Sequence, residues 1–348
     1  MTAMDDFRSD TVTRPDGAMR AAMASAEVGD AVYEDCPTTR RLEAMTAERL
    51  GKEAALFFPT GTQSNLAGLM AHCGRGDEYL VGQMAHTFLY EGGGAAVLGS
   101  IQPQPLPNEP DGTIALAAIE GAIKPDDIHH ARTRLLTLEN TFAGMVLDPA
   151  YLGAATGLAR RHGLGTHLDG ARLMNAAVAL GCGADVLARG FDTVSLCLSK
   201  GLGAPVGSVL AGPGDLIGAA RRLRKMLGGG MRQTGILAAA GIHALERNVA
   251  RLAEDHARAA GLAGILAGFP ELGSGPARTN MVFMTPAGTD VDTFRRFLAG
   301  RGIAVGGRNG SLRWVTHLDV DDASLDRVRA ACEDYFSGNG RGQGSNTA

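Results

Sequence analysis

Long apolar runs are missing from this chain of 348 residues; its longest fall far short of the ~20 a bilayer crossing needs. The opening stretch, MTAMDDFRSDTVTRPDG, carries acids early and no apolar centre, so it does not read as a signal peptide. Cysteine is scarce. The five present (Cys36, Cys73, Cys182, Cys197, Cys332) are odd in number and form no C-x-x-C pair. That argues against a disulfide framework or a zinc site, and for free thiols in a reducing cytoplasm. Basic residues are not in excess: 33 stand against 37 acids, a net charge of −4, so no affinity for nucleic acid is expected. Neither a P-loop nor a Rossmann fingerprint occurs; the Gly-rich run GLGAPVG (201–207) has the wrong spacing for either. Lysine is rarest among the charged types, with four (Lys52, Lys124, Lys200, Lys225) among the 33 basic residues.

Glycine is abundant instead, 49 residues without a fixed period, about twice the usual ~7% and not collagen-like. With 45% apolar and 20% charged residues the bulk of the chain is expected to fold. The length suggests more than one core. We expect an N-terminal segment (1–15), a large domain (16–247), a small C-terminal domain (248–336) and a Gly/Ser/Asn-rich disordered tail (337–348). Strand-like and helix-like segments alternate from about residue 38 to 212. EAALFF (53–58), RLLTLEN (134–140), GLGTHLD (163–169) and DTVSLCLS (192–199) read as buried strands, with VGSVLAG (206–212) a candidate antiparallel neighbour. A helix is expected over Pro149–His162. Together they predict an α/β fold with a mostly parallel sheet covered on both faces. One long or broken helix over 234–267 leads into a β-α-β-α run: strands at 280–285 and 311–318, helices at 291–300 and 323–336.

In such sheets ligands gather at the carboxyl ends of the strands. After the 53–58 strand come Thr60, Gly61, Thr62, Gln63 and Ser64, opening a helix whose free amides suit an anion such as phosphate; a plain Thr N-cap is the simpler alternative. Asp169 ends the 163–169 strand, ahead of Gly170, Ala171 and Arg172, where an Asp–Arg pair would also account for it. Lys200 follows the 192–199 strand inside S-K-G, where an apolar wall favours a nucleophilic amine. A phosphate cradle, a strand-end Asp and a later strand-end Lys, in that order, are what pyridoxal 5'-phosphate (PLP) requires. The lysine forms the Schiff base, and the aspartate pairs with the pyridine nitrogen so that the ring takes up electrons. His86 is a candidate for the ring over the cofactor face.

The sequence resembles the low-specificity L-threonine aldolases, PLP enzymes of fold type I. The resemblance runs from about residue 7 to 335 through FRSDTVTRP (7–15), VGDAVYEDCPT (28–38), LFFPTGTQSNL (56–66), AHTFLYEGGGAAVLGSIQPQP (85–105), LDGARL (168–173), LCLSKGLGAPVGS (196–208), RKMLGGGMRQTGILAAAG (224–241) and LRWVTHLDV (312–320). It implies a fold type I, PLP-dependent transferase-like architecture with a mostly parallel seven-stranded sheet in the large domain. It implies that Lys200 binds PLP, Asp169 faces the pyridine nitrogen, His86 stacks on the ring, and Gly61 and Thr62 bind the phosphate. Ser9, Arg172 and Arg313 would hold the substrate carboxylate, with His129 near the β-hydroxyl. Tyr33, Lys225 and Arg232 would be supplied across a subunit interface, Arg232 as a possible phosphate contact, in a homotetramer built as a dimer of dimers. Where the family often continues E-N-T-H-N, this chain has Glu139, Asn140, Thr141, Phe142 and Ala143.

The implied reaction is cleavage of L-threonine, L-allo-threonine or a related β-hydroxy-α-amino acid, such as phenylserine, to glycine and an aldehyde. Both His86 and His129 are candidate bases, directly or through a water. No metal is expected. Another PLP reaction on the same fold (β-elimination, racemisation, transamination) and a non-catalytic scaffold are the alternatives.

Overall fold

A computed structural model describes residues 4–337. The expected tail therefore lies outside the described residues, apart from Ser337. Eleven strands are present among them: β1 (Asp5–Phe7), β2 (Ala54–Phe58), β3 (Asp77–Gly82), β4 (Gln102–Leu106), β5 (Arg132–Glu139), β6 (Gly165–Gly170), β7 (Thr193–Cys197), β8 (Ser208–Gly212), β9 (Met281–Met284), β10 (Ile303–Val305) and β11 (Leu312–Val315). The chain divides into two compact units, Pro15–Val249 and Met1–Arg14 with Ala250–Ala348.

The larger unit is built on a seven-stranded sheet in the order β2-β8-β7-β6-β5-β3-β4. Only β8 runs against the rest, pairing antiparallel with both β2 and β7. This is the expected α/β architecture, with the antiparallel neighbour where VGSVLAG placed it. Strands β3, β7 and β8 are buried at every position, because helices cover both faces and no alternation with polar residues is needed. Strand β4, QPQPL, sits at one edge; a strand holding Pro103 and Pro105 lacks two ladder donors and is tolerated only there.

Several boundaries differ from expectation by a few residues. The most consequential is β7, which ends at Cys197 rather than Ser199, so Lys200 stands in a turn beyond the strand. The turn is closed where Leu198 N donates to Gly207 O at 2.9 Å.

The smaller unit has two short sheets, β1 parallel to β10 and β9 antiparallel to β11. The N-terminal segment belongs to it through β1. Helices Leu252–Ala267, Val291–Gly300 and Asp322–Phe336 pack on a core of Phe7, Leu262, Phe294, Leu298, Trp314 and Val328. The sole tryptophan, Trp314, meets Phe7 edge-on with centroids 5.3 Å apart. The helical stretch expected over 234–267 is interrupted: an α-helix over Gly235–His243 runs into a π turn at Ala244–Asn248 before the helix at Leu252 begins.

Candidate active site

The parallel strands bring their carboxyl ends to one edge of the large sheet, and the register sets which side chains become neighbours there. Asp169 pairs with Glu139 on one side and Ser195 on the other. Helix Gly61–His72 begins three residues after β2, and the turn of helix at His86–Leu89 follows β3.

At the start of helix Gly61–His72, Thr60 is the N-cap and its hydroxyl accepts the amide of Gln63 at 3.1 Å. Thr60 O takes the amide of Ser64. The amides of Gly61 and Thr62 remain as open donors, as the first turn of any helix leaves them. Beside them, Ser208 Oγ is buried with no partner among the described residues, and a Cβ on Gly61 would come within 3.3 Å of it. Gln63 Oε1 is likewise buried and unpaired. The orphaned Ser208 hydroxyl beside open amides at a helix N-terminus fits an anion such as a phosphate group, whereas Gln63 Oε1 is an acceptor and does not, its amide nitrogen being engaged by Leu227 O.

A buried polar group lies alongside. Asp169 Oδ2 accepts from Asn65 Nδ2 at 3.0 Å, and its Oδ1 accepts from Ala171 N at 3.0 Å. Asn65 Nδ2 also donates to Glu91 Oε1 at 2.8 Å, and the same oxygen meets His86 Nδ1 at 2.9 Å. Glu139 Oε2 accepts the backbone amide of His86 at 2.9 Å. The hydrogen bond to Glu91 raises the His86 pKa above its ordinary value, with help from the charge of Asp169. Burial, with Asp169 nearby, raises the Glu139 carboxyl to about 7. Burial also raises Glu91. The charge of Lys200 acts the other way on both His86 and Glu139. Among the described residues the Lys200 side-chain amine has no hydrogen bond or ion pair, while its backbone carbonyl accepts from Gly203 N at 2.8 Å. It lines a small cavity with Arg172, Asn175 and Cys197.

Of the residues expected from sequence, Gly61, Thr62, His86, Asp169, Arg172 and Lys200 thus all stand at the carboxyl edge of the sheet. His129 does not join their hydrogen bonds: its Nδ1 meets Asp127 of its own exposed loop at 2.6 Å. Tyr33 is 77% exposed, and Arg232 donates to Asp30 at 3.0 Å. Lys225 lies in the last turn of helix Gly214–Met226. In the smaller unit, Ser9 caps the short turn Asp10–Val12, and Arg313 Nη2 donates to Arg8 O at 3.0 Å. Asp319, close to Arg313 in sequence, pairs with Arg14.

Three residues of the site escaped the sequence reading. Asn65 follows Gly61 by four positions, one helical turn, which was the available signal. Glu91 closes the HTFLYE stretch five residues after His86. Glu139 precedes the point where the family motif breaks off.

Residues 6–288 match the beta-eliminating lyase family. Over 331 residues the chain is 53% identical to the low specificity L-threonine aldolase of Escherichia coli strain K12, covering 94% of this chain and 98% of that one. The chain belongs to the low-specificity L-threonine aldolases, within the beta-eliminating lyases. It is a lyase. The low-specificity L-threonine aldolase 1 of Arabidopsis thaliana is 45% identical over 92% of this chain and 93% of its own. Among solved structures, the threonine aldolase of Leishmania major superposes with a TM-score of 0.79 at 21% identity, over 94% and 98% of the two chains, which establishes the fold. In this aldolase family setting, the orphaned Ser208 hydroxyl, the unpaired Lys200 amine and the Asp169 carboxylate form one set of polar groups at one sheet edge.

Proposed function

We propose that the chain binds PLP and cleaves L-threonine, L-allo-threonine and related β-hydroxy-α-amino acids, phenylserine included, to glycine and an aldehyde. The observation that carries this is the joint placement of an unpaired lysine, a buried aspartate and an open helix N-terminus at one sheet edge. When bound, PLP supplies an aldehyde for a lysine amine and a ring that takes up the electron pair left at Cα. Lys200 is the amine available for it. Asp169, oriented by Asn65 and Ala171, is the anion for the ring nitrogen. Gly61, Thr62 and Ser208 offer donors to the phosphate.

The cleavage balances simply: the β-hydroxyl loses its proton, Cα–Cβ opens, the aldehyde carbonyl forms, and Cα gains a proton. His86 is suited to move that proton. With Nδ1 engaged by Glu91, its Nε2 is the nitrogen left for substrate or water. Arg172 is a guanidinium able to grip a carboxylate in two places. Ser9 and Arg313 retain the carboxylate-binding role, and His129 the β-hydroxyl role, that the family resemblance implies. Tyr33, Lys225 and Arg232 are proposed to serve a neighbouring subunit in a homotetramer. A cytoplasmic setting is part of the proposal, resting on five cysteines that are odd in number and form no C-x-x-C pair. No helix among the described residues is long and apolar enough to cross a membrane.

The test is aldehyde release with matched glycine formation from L-threonine, L-allo-threonine and phenylserine. Lys200→Ala should lose it almost entirely while melting normally. A keto acid in place of glycine would overturn the aldolase reading in favour of transamination. Failure of the purified chain to take up PLP would leave a scaffold.

A further inference from the structure

Behind Asp169 a line of polar side chains, buried up to the half-buried His72, continues away from the site along helix Gly61–His72. His167 Nε2 lies 3.2 Å from Asn65 Oδ1, His167 Nδ1 lies 2.9 Å from Thr193 Oγ1, and that hydroxyl lies 2.9 Å from His72 Nε2. The proton positions follow in sequence. Asn65 faces two carboxylates, Asp169 and Glu91, so the group turned to them is its NH2. Its carbonyl oxygen then faces His167 and needs a donor, which fixes the proton of His167 on Nε2. Nδ1 is left as an acceptor. The single proton of the Thr193 hydroxyl goes to it, and the hydroxyl oxygen accepts from His72 Nε2–H. Burial pushes His167 down to about 3, with the His72 ring acting in the same direction, so the imidazole is neutral and each nitrogen has one role. Burial likewise lowers His72, against Asp192 and Asp215. Room for the ring is made by Gly68: a Cβ there would stand 2.8 Å from His167 Cε1.

We propose that His72, Thr193, His167 and Asn65 form a one-way hydrogen-bond chain whose task is to position Asp169 and, through Glu91, His86. The proposal rests on the function given above. Every donor in the chain points toward the site, so Asn65 is not free to flip its amide. A flipped amide would turn an oxygen toward two carboxylates and withdraw the donor that Asn65 gives to each. These four are positioning residues; none is assigned a contact with substrate.

Thr193→Val keeps the shape and removes the hydroxyl at the middle of the chain. In the PLP-loaded protein it should lower kcat for threonine cleavage about tenfold, with KM within about twofold. It should also move the pH midpoint of the visible absorption of bound PLP, and Thr193→Ser should restore both. Nitrogen-15 NMR of the full chain should show His167 as the neutral Nε2–H tautomer. In Thr193→Val the His86 titration, set by Glu91, Asp169, Glu139 and Lys200, should shift. A His167 proton found on Nδ1 overturns the proposal, whatever the variants do. So does a Thr193→Val protein with wild-type absorption, kcat and His86 titration. Absence of threonine cleavage in the wild type would sink the functional reading alone, since the tautomer and the His86 titration are read without substrate.

Discussion

Glu91 places a single carboxylate oxygen between two donors, the ring of His86 at 2.9 Å and the amide of Asn65 at 2.8 Å. Its side chain is almost fully enclosed while that of His86 is 41% exposed, so the pair has a fixed acceptor and a reachable ring. The hydrogen bond that the His86 ring donates to Glu91 is the leading reason the His86 pKa is raised. Glu91→Gln keeps the size but removes the charge, so the His86 midpoint should fall, as read by NMR titration. A midpoint that stays put would mean Asp169 alone sets it. The same pair carries a pH-dependent share of stability. A histidine whose folded pKa is raised stabilises the native state below its free value of ~6.5, and that share is lost as pH rises through the folded value. The stability gap between wild type and Glu91→Gln should therefore change between pH 6 and pH 9 in that sense. Denaturant titrations at both pH values check it.

The turn that carries Lys200 shows how one element depends on one backbone conformation. Gly207 closes it by accepting from Leu198 N, at a φ of +106°. A Cβ at that position would lie 2.5 Å from the ring of Phe57, a fully buried side chain of β2. Gly207→Ala thus meets both an unfavourable backbone region and a rigid neighbour. It should cost about 2 kcal/mol or more, read as a lower urea midpoint, and should reduce cleavage by displacing Lys200. Such dependencies also explain what could be read from sequence. Strands β2, β5, β6, β7 and β8 were legible because strands covered on both faces leave continuous apolar runs. Strand β4 was not, since its alternating prolines resemble a loop until an edge position is known. Strands β1 and β10 have three residues each, too few to show a period. Asp169 and Lys200 were legible as charges at the ends of apolar runs. Glu139 joins them only through the β5–β6 register, and Asn65 only through the helix that crosses above β6, neither of which is a local property of the chain.

At the scale of the molecule, the larger unit assembles the lysine, aspartate and histidine on its own sheet edge, yet leaves other polar residues facing outward. Arg232 holds Asp30 at 3.0 Å with its side chain about half exposed, and Tyr33 is exposed close by in sequence. The proposal that these serve a second subunit makes a prediction that no single-chain role can imitate. Lys200→Ala and Arg232→Ala should each be nearly inactive as pure proteins. Unfolded together and refolded, they should re-pair at random, and half of the dimers should contain one subunit of each kind. In each mixed dimer one site combines the intact Lys200 of one subunit with the intact Arg232 of its partner, while the other site lacks both. Activity should then recover to about a quarter of the wild-type value, measured as aldehyde release per subunit. If Arg232 acts within its own chain, every site in the mixture lacks one of the two residues, and no recovery occurs.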